Sequence, residues 1–299
     1  MVATEVYLLA ILTALCFGAN QVAAKKGFEA GGSSLLITGM VIGFSGLLYW
    51  TLLIVSVGLG TVFSGLSLFG IGLFLAGGVI GTGVARLSVY AGVKRVGASV
   101  NSAGTNVRPL FSAILAVVLL GEVLTPVQSL GIVILVVGVI VLSLSKGGDL
   151  RGWKLSQLAF PLVAALAFAS GNVIRRYGYT VTTATAVEAA ALNETAALVT
   201  FGLYVGVRYA GELNRAFVAP RRVYGYFFVA SILAAVGTLS LFFALSLGPV
   251  TIVDPLVGTA PLFALVFTHR FLGGVEGVNR WLALGVLLVV AGAGLITAT

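Results

Sequence analysis

Ten apolar runs follow one another along the chain, each long enough to form a helix across a lipid bilayer, with short connections between them. They cover residues 5–24, 35–57, 67–90, 98–120, 126–145, 157–174, 184–207, 224–246, 250–270 and 280–297. A spanning helix needs about 20 mostly apolar residues, whereas a membrane barrel strand alternates polar and apolar residues over about ten. Because these runs are continuously apolar, the sequence predicts an all-α integral membrane protein with ten transmembrane helices and no soluble domain.

The shortage of charged residues supports this prediction. Apolar residues make up 59% of the 299 and charged residues 9%, whereas a soluble domain usually carries about 25% charged residues. The net charge of +8 comes from basic residues scattered between apolar runs, so no basic face for binding nucleic acid is predicted. The N-terminus lacks the positive leader and cleavage site of a secretory signal, and we interpret it as the first membrane helix.

The second half of the chain repeats the first. Residues 14–27, ALCFGANQVAAKKG, align with residues 165–178, ALAFASGNVIRRYG, at a constant offset of 151. The triplet Pro-Leu-Phe at 109–111 recurs at 261–263, an offset of 152. Four glycines also match at an offset of 154, Gly131 with Gly285 and Gly138 with Gly292.

Such a duplication of five helices has a consequence for topology. Because five is an odd number, the second copy must enter the membrane from the opposite side. We therefore predict two inverted five-helix repeats, residues 1–147 and residues 156–299. Many secondary transporters build a binding site near the bilayer midplane from repeats of this kind.

A set of short motifs runs from Tyr90 to Gly138. Its parts are Tyr90-x-x-x-Lys94, the Pro-Leu-Phe helix, the helix end Leu120-Gly121-Glu122, and then Thr125, Pro126, Gln128 and Gly131. At this spacing the sequence resembles the drug/metabolite transporter superfamily, specifically its EamA-type ten-helix permeases, over essentially the whole chain. The resemblance implies a secondary transporter that carries polar metabolites, amino acids or drugs across the cytoplasmic membrane, often as an exporter.

Local chemistry explains part of this motif. Thr125 before Pro126 is typical of a helix N-cap followed by proline at the first helical position. Glu122 then lies just before a helix N-terminus, where the helix dipole favours a carboxylate. We interpret Glu122 as a structural residue of that helix start.

Arg108 is the most informative single residue, because it lies about ten residues into the fourth apolar run. A charge at mid-depth costs about 2.5–3.5 kcal/mol on insertion scales and is a functional-site hypothesis by default. We expect its side chain to face the interior of the helix bundle. There it either binds an anionic group of a substrate bidentately or forms a fixed ion pair with an internal acid.

Other polar residues within the predicted spans complete a candidate substrate site. Glu188 and Glu194 point about 120° apart on one helix, and Glu194 is the better candidate for the cavity and for binding a coupling proton. Asp254 either lines the cavity or caps the ninth helix, and Arg86 lies within snorkelling reach of the interface. The amide candidates are Asn20, Asn101, Asn106, Asn172 and Asn193. Hydrogen bonds between helices explain each amide equally well.

Two alternatives to a transporter are a membrane-embedded enzyme that modifies lipids or prenyl groups, and a non-transporting membrane protein. Such an enzyme usually carries clustered acids for Mg²⁺ or a His-rich motif. The chain has one histidine, His269, and none of the common nucleotide-binding, zinc-protease or hydrolase motifs. We therefore expect no enzyme activity, no metal and no cofactor. The expected partners are the bilayer and a small substrate, with an anion favoured by Arg108.

The basic residues are unevenly divided between the two ends of the predicted helices. Leaving out Arg108, 14 of the remaining 16 lie at or near connections after odd-numbered spans, and only Arg175 and Arg176 follow an even-numbered span. Lysine and arginine mark cytoplasmic loops, so this count predicts both termini outside. The resemblance implies both termini inside, and the orientation stays open.

Overall fold

A computed structural model describes residues 3–57, 63–145, 155–209, 217–272 and 280–298. Within these ranges every regular element is a helix, as the sequence predicts. The helices are α1 (Thr4–Glu29), α2 (Ser34–Val57), α3 (Leu68–Gly78), α4 (Ala85–Thr105), α5 (Arg108–Leu120), α6 (Pro126–Ser145), α7 (Ala159–Val181), α8 (Ala186–Arg208), α9 (Arg221–Leu247), α10 (Val250–Val257), α11 (Ala260–Leu272) and α12 (Arg280–Thr297). A π-helical segment, Val79–Val84, joins α3 to α4, and a 3-10 turn, Leu155–Leu158, precedes α7.

The outer surface of the bundle is suited to lipid. Among the described residues, eight helical stretches are long and apolar enough to cross a membrane, and two shorter apolar helices cover 126–142 and 283–297. Large apolar side chains lie on the outside, including Val55 at 81% and Val207 at 87% exposure. Water would penalise so much exposed apolar surface, whereas the bilayer interior does not. The chain is a multi-pass membrane protein.

The third and fourth predicted spans are joined by continuous helical hydrogen bonding from Leu68 to Thr105, yet the chain turns back within α4. Gly92 and Gly104 both face Pro161 of α7. A Cβ at Gly92 would lie 3.4 Å from Pro161 Cδ, and one at Gly104 would lie 2.8 Å from Pro161 Cβ. A straight helix would hold two residues twelve positions apart at about 18 Å. α4 therefore contains the reversal between two antiparallel spans.

The helices α6 and α12 pack along each other through the glycines that match between the two halves. A Cβ at Gly131 would lie 2.9 Å from the carbonyl oxygen of Gly292, and one at Gly285 would lie 3.1 Å from that of Gly138. Small residues let membrane helices approach this closely. As the residue number rises on α6 it falls on α12, so the two helices are antiparallel.

The other helix contacts also correspond between the two halves of the chain. α1 packs along α9, and α7 packs along α3 and α4. α2 contacts α9, and α8 contacts α3. α2 also packs against α8. When spans one to five are exchanged with spans six to ten, each of these contacts becomes another contact in the set or returns to itself.

Candidate functional site

The fourth and ninth predicted spans are both interrupted, and at matching positions. α4 ends at Thr105 and α5 begins at Arg108, whereas α10 ends at Val257 and α11 begins at Ala260. The interruptions at 106–107 and 258–259 are 152 positions apart, the offset of the Pro-Leu-Phe triplets. Proline, the second residue of both α5 and α11, favours the first turn of a helix because it has no N–H to leave unpaired.

The two interruptions touch inside the bundle. A Cβ at Gly258 would lie 3.2 Å from Pro109 Cγ, so the end of α10 faces the start of α5. Helices broken in the middle of a membrane occur where they are buried in protein or line a cavity, and their positive N-terminal ends attract anionic groups. The candidate site is built around this contact.

Arg108, the first residue of α5, pairs with Asp254 of α10. Arg108 Nε lies 3.0 Å from Asp254 Oδ1, and the side chains are 17% and 0% exposed respectively. Asn172 Nδ2 of α7 donates to the same oxygen at 2.9 Å, and the Ser112 hydroxyl donates to Oδ2. These contacts compensate the cost of burying the carboxylate. Arg108 Nε is buried and lies at ion-pair distance from the carboxylate, without the geometry of a hydrogen bond within the described structure.

Arg175 of α7 links this pair to a second group of polar residues, through all three of its nitrogen atoms. Nη1 donates to Asn172 Oδ1 at 2.6 Å, and Nε donates to Asn193 Oδ1 of α8 at 3.0 Å. Nη2 donates to Thr82 Oγ1 at 2.9 Å and to the Gly77 carbonyl at 3.1 Å. Because Asn172 also binds Asp254, polar contacts run without a break from Arg108 to Thr82.

The π-helical segment supplies the far end of this network. Thr82 Oγ1 also accepts a hydrogen bond from Asn193 Nδ2 at 3.1 Å. The segment can approach α7 closely because Gly81 has no Cβ. A Cβ there would lie only 2.6 Å from the Cα of Gly171. π-helical turns are rare in proteins, and those that occur are often found at functional sites. Here the wide turn positions Thr82 between the arginine of α7 and the amide of α8.

Glu194 follows Asn193 on α8 and is 1% exposed. Its Oε2 has no hydrogen-bond partner in the part of the chain that the structure describes. The charged groups that act on it are Arg86 of α4 and Arg175 of α7, and Tyr49 of α2 is the nearby phenol. Glu194 is therefore a buried carboxyl group with one unpartnered oxygen among the described residues, close to two cations.

Two sequence candidates have structural roles. Asn20 donates to the Ala230 carbonyl at 2.7 Å and joins α1 to α9. Glu188 accepts from the backbone N–H of Thr185 at 2.9 Å and forms the capping box of α8 with it. Each side chain satisfies a neighbouring backbone group in the described structure, and the substrate contact of these two residues stays a prediction.

The remaining amide candidates lie near the two turns of the α4 region. Asn101 is buried and faces Gly92 across the reversal in α4, and its Oδ1 has no partner among the described residues. Asn106 lies in the interruption between α4 and α5, two residues before Arg108. Of these two residues, only Asn106 lies at the contact between the two interrupted spans.

Arg175 is the residue that sequence reasoning misplaces. The predicted sixth span ends at 174, but α7 continues to Val181 and buries the guanidinium. Asn172 and Arg175 are three residues apart and so lie on one helix face, a signal that could have placed both in the interior. Of the two basic residues counted after an even-numbered span, only Arg176 then remains. It donates to the carbonyls of Leu245 and Ser246 at the end of α9.

Asp254 and Glu122 also differ from expectation in which helix start they stabilise. Asp254 does not cap the ninth helix, since it is the fifth residue of α10 and pairs with Arg108. Glu122 caps that helix instead, by accepting from the N–H groups of Val250 at 2.9 Å and Thr251 at 3.0 Å. The N-cap at Thr125 is confirmed, because its Oγ1 accepts from Gln128 N–H at 3.1 Å.

Comparison with known proteins agrees with this architecture. A model of the EamA-like transporter family matches residues 4–144. One solved crystal structure aligns with 99% of this chain and 97% of its own length, with a TM-score of 0.80 and 15% sequence identity. At that identity the likeness concerns the fold alone. No curated protein matches the sequence. Residues 4–144 thus match the EamA-like transporter family, which is consistent with the drug/metabolite transporter superfamily, and the chain is a multi-pass membrane protein.

Proposed function

We propose that this chain is a secondary transporter of a small polar metabolite, an amino acid or an anionic metabolite, in the cytoplasmic membrane. It works by alternating access between two inverted five-helix repeats. The observation that carries the proposal is the Arg108–Asp254 pair, which lies where the two interrupted spans touch. Charges inside a membrane bundle are costly and mark substrate or ion pathways.

The inverted repeat is supported by three independent features. The interruptions of the fourth and ninth spans match at the offset of the Pro-Leu-Phe triplets. The helix contacts are preserved when the halves are exchanged, and the matched glycines of α6 and α12 contact each other in antiparallel order. An axis in the membrane plane between the halves produces this arrangement, and rocking one half against the other opens the site to either side.

The charge pair favours a zwitterionic substrate. Asp254 already compensates Arg108, so a simple anion would have to compete with a buried carboxylate for the guanidinium. An amino acid carries both charges, so its carboxylate can bind Arg108 while its ammonium group binds Asp254. The positive N-terminal end of α5 adds to the attraction for the carboxylate. An amino acid is therefore the substrate class we favour.

A screen of ligand stabilisation on the purified protein tests this proposal. The panel contains amino acids, phosphorylated metabolites, dicarboxylates and organic cations. A ligand at about 100 times its dissociation constant adds roughly 2.7 kcal/mol to the free energy of unfolding. We expect amino acids to stabilise the protein. In proteoliposomes, we expect unlabelled amino acids to compete with the uptake of labelled substrate.

Two variants connect the result to the site. Arg108→Ala alone leaves Asp254 buried without its cation and is expected to unfold easily, so Arg108→Ala is combined with Asp254→Asn. Arg208→Ala is the control, because Arg208 is exposed at the end of α8. The amino acid response should disappear in the folded double variant and persist in the control. If the folded double variant binds the ligand as well as the parent does, Arg108 and Asp254 are not substrate contacts.

Glu194 is our candidate for a coupling proton. A change of its charge acts on Arg175, and Arg175 is connected to Asp254 through Asn172. Proton binding at Glu194 can therefore alter the site without touching the substrate. Glu194→Gln should leave uptake independent of an imposed proton gradient. Glu188→Gln on the same helix is the control, because Glu188 caps α8. A gradient dependence that survives in Glu194→Gln would exclude this role.

A further inference from the structure

A small open cavity lies away from the proposed transport site, where the end of α1 meets the start of α9. Its volume is about 270 Å³, and its walls are Lys26, Glu29, Ala30, Arg222 and Tyr226. In the described structure neither Lys26 nor Arg222 forms an ion pair or a side-chain hydrogen bond. Two cations and one carboxylate give the cavity a net charge of +1, and both cations are free to bind a ligand.

The walls of the cavity are held in place by close packing beneath them. Phe227 of α9 is fully buried against α1, and a Cβ at Gly32 would lie 2.7 Å from its Cε2 atom. The rings of Phe28 and Phe227 meet edge to face, with their centroids 5.6 Å apart. Because α1 and α9 cannot separate here without losing these contacts, Lys26 and Arg222 are kept near each other.

The aromatic side chains near the cavity are typical of the level of the lipid headgroups. Tyr226 lines the cavity, Tyr224 and Phe28 lie within two residues of its lining in sequence, and all three are exposed; tyrosine is enriched where the bilayer meets water. The exposed Lys25 and Arg221 adjoin the cavity residues in sequence. A lipid in this leaflet therefore reaches the cavity without leaving the bilayer.

We propose that this cavity binds the phosphate group of an anionic phospholipid. The Arg222 guanidinium and the Lys26 ammonium pair with the phosphate oxygens, and the Tyr226 phenol donates a hydrogen bond. Basic pockets between membrane helices bind lipid phosphates in this way. The site is independent of the transport function, since it shares no residue with the Arg108–Asp254 network.

The charge of the cavity distinguishes a lipid from a free phosphate. A phosphodiester carries a single negative charge, which matches the net charge of +1. Inorganic phosphate and phosphate monoesters carry about 1.5 to 2 negative charges at neutral pH, and Glu29 opposes the charge beyond the first. Glu29 also accepts hydrogen bonds from the hydroxyl groups of a glycerol headgroup. The preferred ligand is thus phosphatidylglycerol rather than glycerol phosphate or inorganic phosphate.

Native mass spectrometry of the detergent-purified full chain measures this binding directly. Phosphatidylglycerol is titrated against phosphatidylcholine, and inorganic phosphate and glycerol phosphate are tested as competitors. The variant Lys26→Ala with Arg222→Ala should bind phosphatidylglycerol about thirtyfold more weakly, because it lacks two basic groups that each attract the lipid phosphate. The matched control is Lys25→Ala with Arg221→Ala, which removes the same charge from exposed neighbours outside the cavity, and its affinity should be unchanged.

The possible outcomes separate the explanations. Equal losses in the two double variants would overturn the proposal, because binding would then depend on overall charge. Equal binding of phosphatidylcholine and phosphatidylglycerol would overturn it as well. Displacement of the lipid by inorganic phosphate at similar concentration would identify a free-phosphate site instead. Glu29→Gln should raise the affinity for glycerol phosphate, and no change in that affinity would contradict the role given to Glu29.

Discussion

Replacing Gly292 with alanine should force α12 away from α6. The new Cβ would lie 2.6 Å from the carbonyl oxygen of Gly131 and 2.7 Å from Leu135 Cβ. Neither atom belongs to the far end of a flexible side chain, so rotation of a side chain cannot relieve the contact. An ordinary contact is 3.4 Å or longer, and the two helices must separate by about 0.8 Å at this point.

The cost follows from that separation. A gap of 0.5–1 Å removes about a quarter to a half of the dispersion attraction between facing atoms, and overpacking typically costs about 1–3 kcal/mol. Alanine returns about 1 kcal/mol through its better helix propensity. The expected net loss in the free energy of unfolding is therefore about 0–2 kcal/mol.

A control lies two residues away on the same helix. Gly294 has no atom within 4 Å of the position a Cβ would take, so Gly294→Ala should gain up to about 1 kcal/mol. Both variants are unfolded in mixed detergent and dodecyl sulfate micelles and compared with the parent protein. If Gly292→Ala is as stable as Gly294→Ala, the two backbones do not approach each other as described, and the paired glycines lose their role in the repeat.

Three further substitutions test local features with the same unfolding assay. Glu122→Ala should cost about 1–2 kcal/mol, because α10 loses the carboxylate that caps it; an unchanged stability would mean that water replaces the cap. Arg175→Lys should cost about 2–4 kcal/mol, since one ammonium nitrogen cannot replace three guanidinium nitrogens that all donate to buried acceptors. A near-neutral result would contradict the network. Tyr49→Phe should cost about 1 kcal/mol, because its hydroxyl donates to the buried Ala235 carbonyl at 2.7 Å; a gain in stability would show that this bond contributes nothing.

Features that depend on near neighbours in the chain could be predicted from the sequence. Every predicted span overlaps a helix, because the length of an apolar run decides whether a segment crosses the bilayer. The cap at Thr125 was predictable because it depends only on the residues that directly follow it. Thr185 and Glu188 carry the same three-residue spacing, so the capping role of Glu188 was also within reach of the sequence. An acidic residue within an apolar span favours the cavity interpretation instead.

The partner of Arg108 was not predictable in this way. The sequence offers Glu188, Glu194 and Asp254 as acids within spans, and all three are compatible with an inward-facing arginine. The contact between the interrupted fourth and ninth spans selects Asp254, which is far from Arg108 in the chain. The role of Glu122 was hidden for the same reason, because the helix it caps begins 128 residues later.

The sequence by itself determined that the chain is a helical membrane protein, and it predicts that the two halves are copies. Hydrophobic length and residue matching carry that information, and both are properties of the chain read in order. Only the tertiary structure decided which helix faces meet. Helical periodicity places Asn172 and Arg175 on one face, but the identity of Thr82 and Asn193 as their neighbours depends on how α3, α7 and α8 pack. The close packing of α7 against Gly81 of the π-helical segment brings those groups together, because without a Cβ the backbones can approach within contact distance.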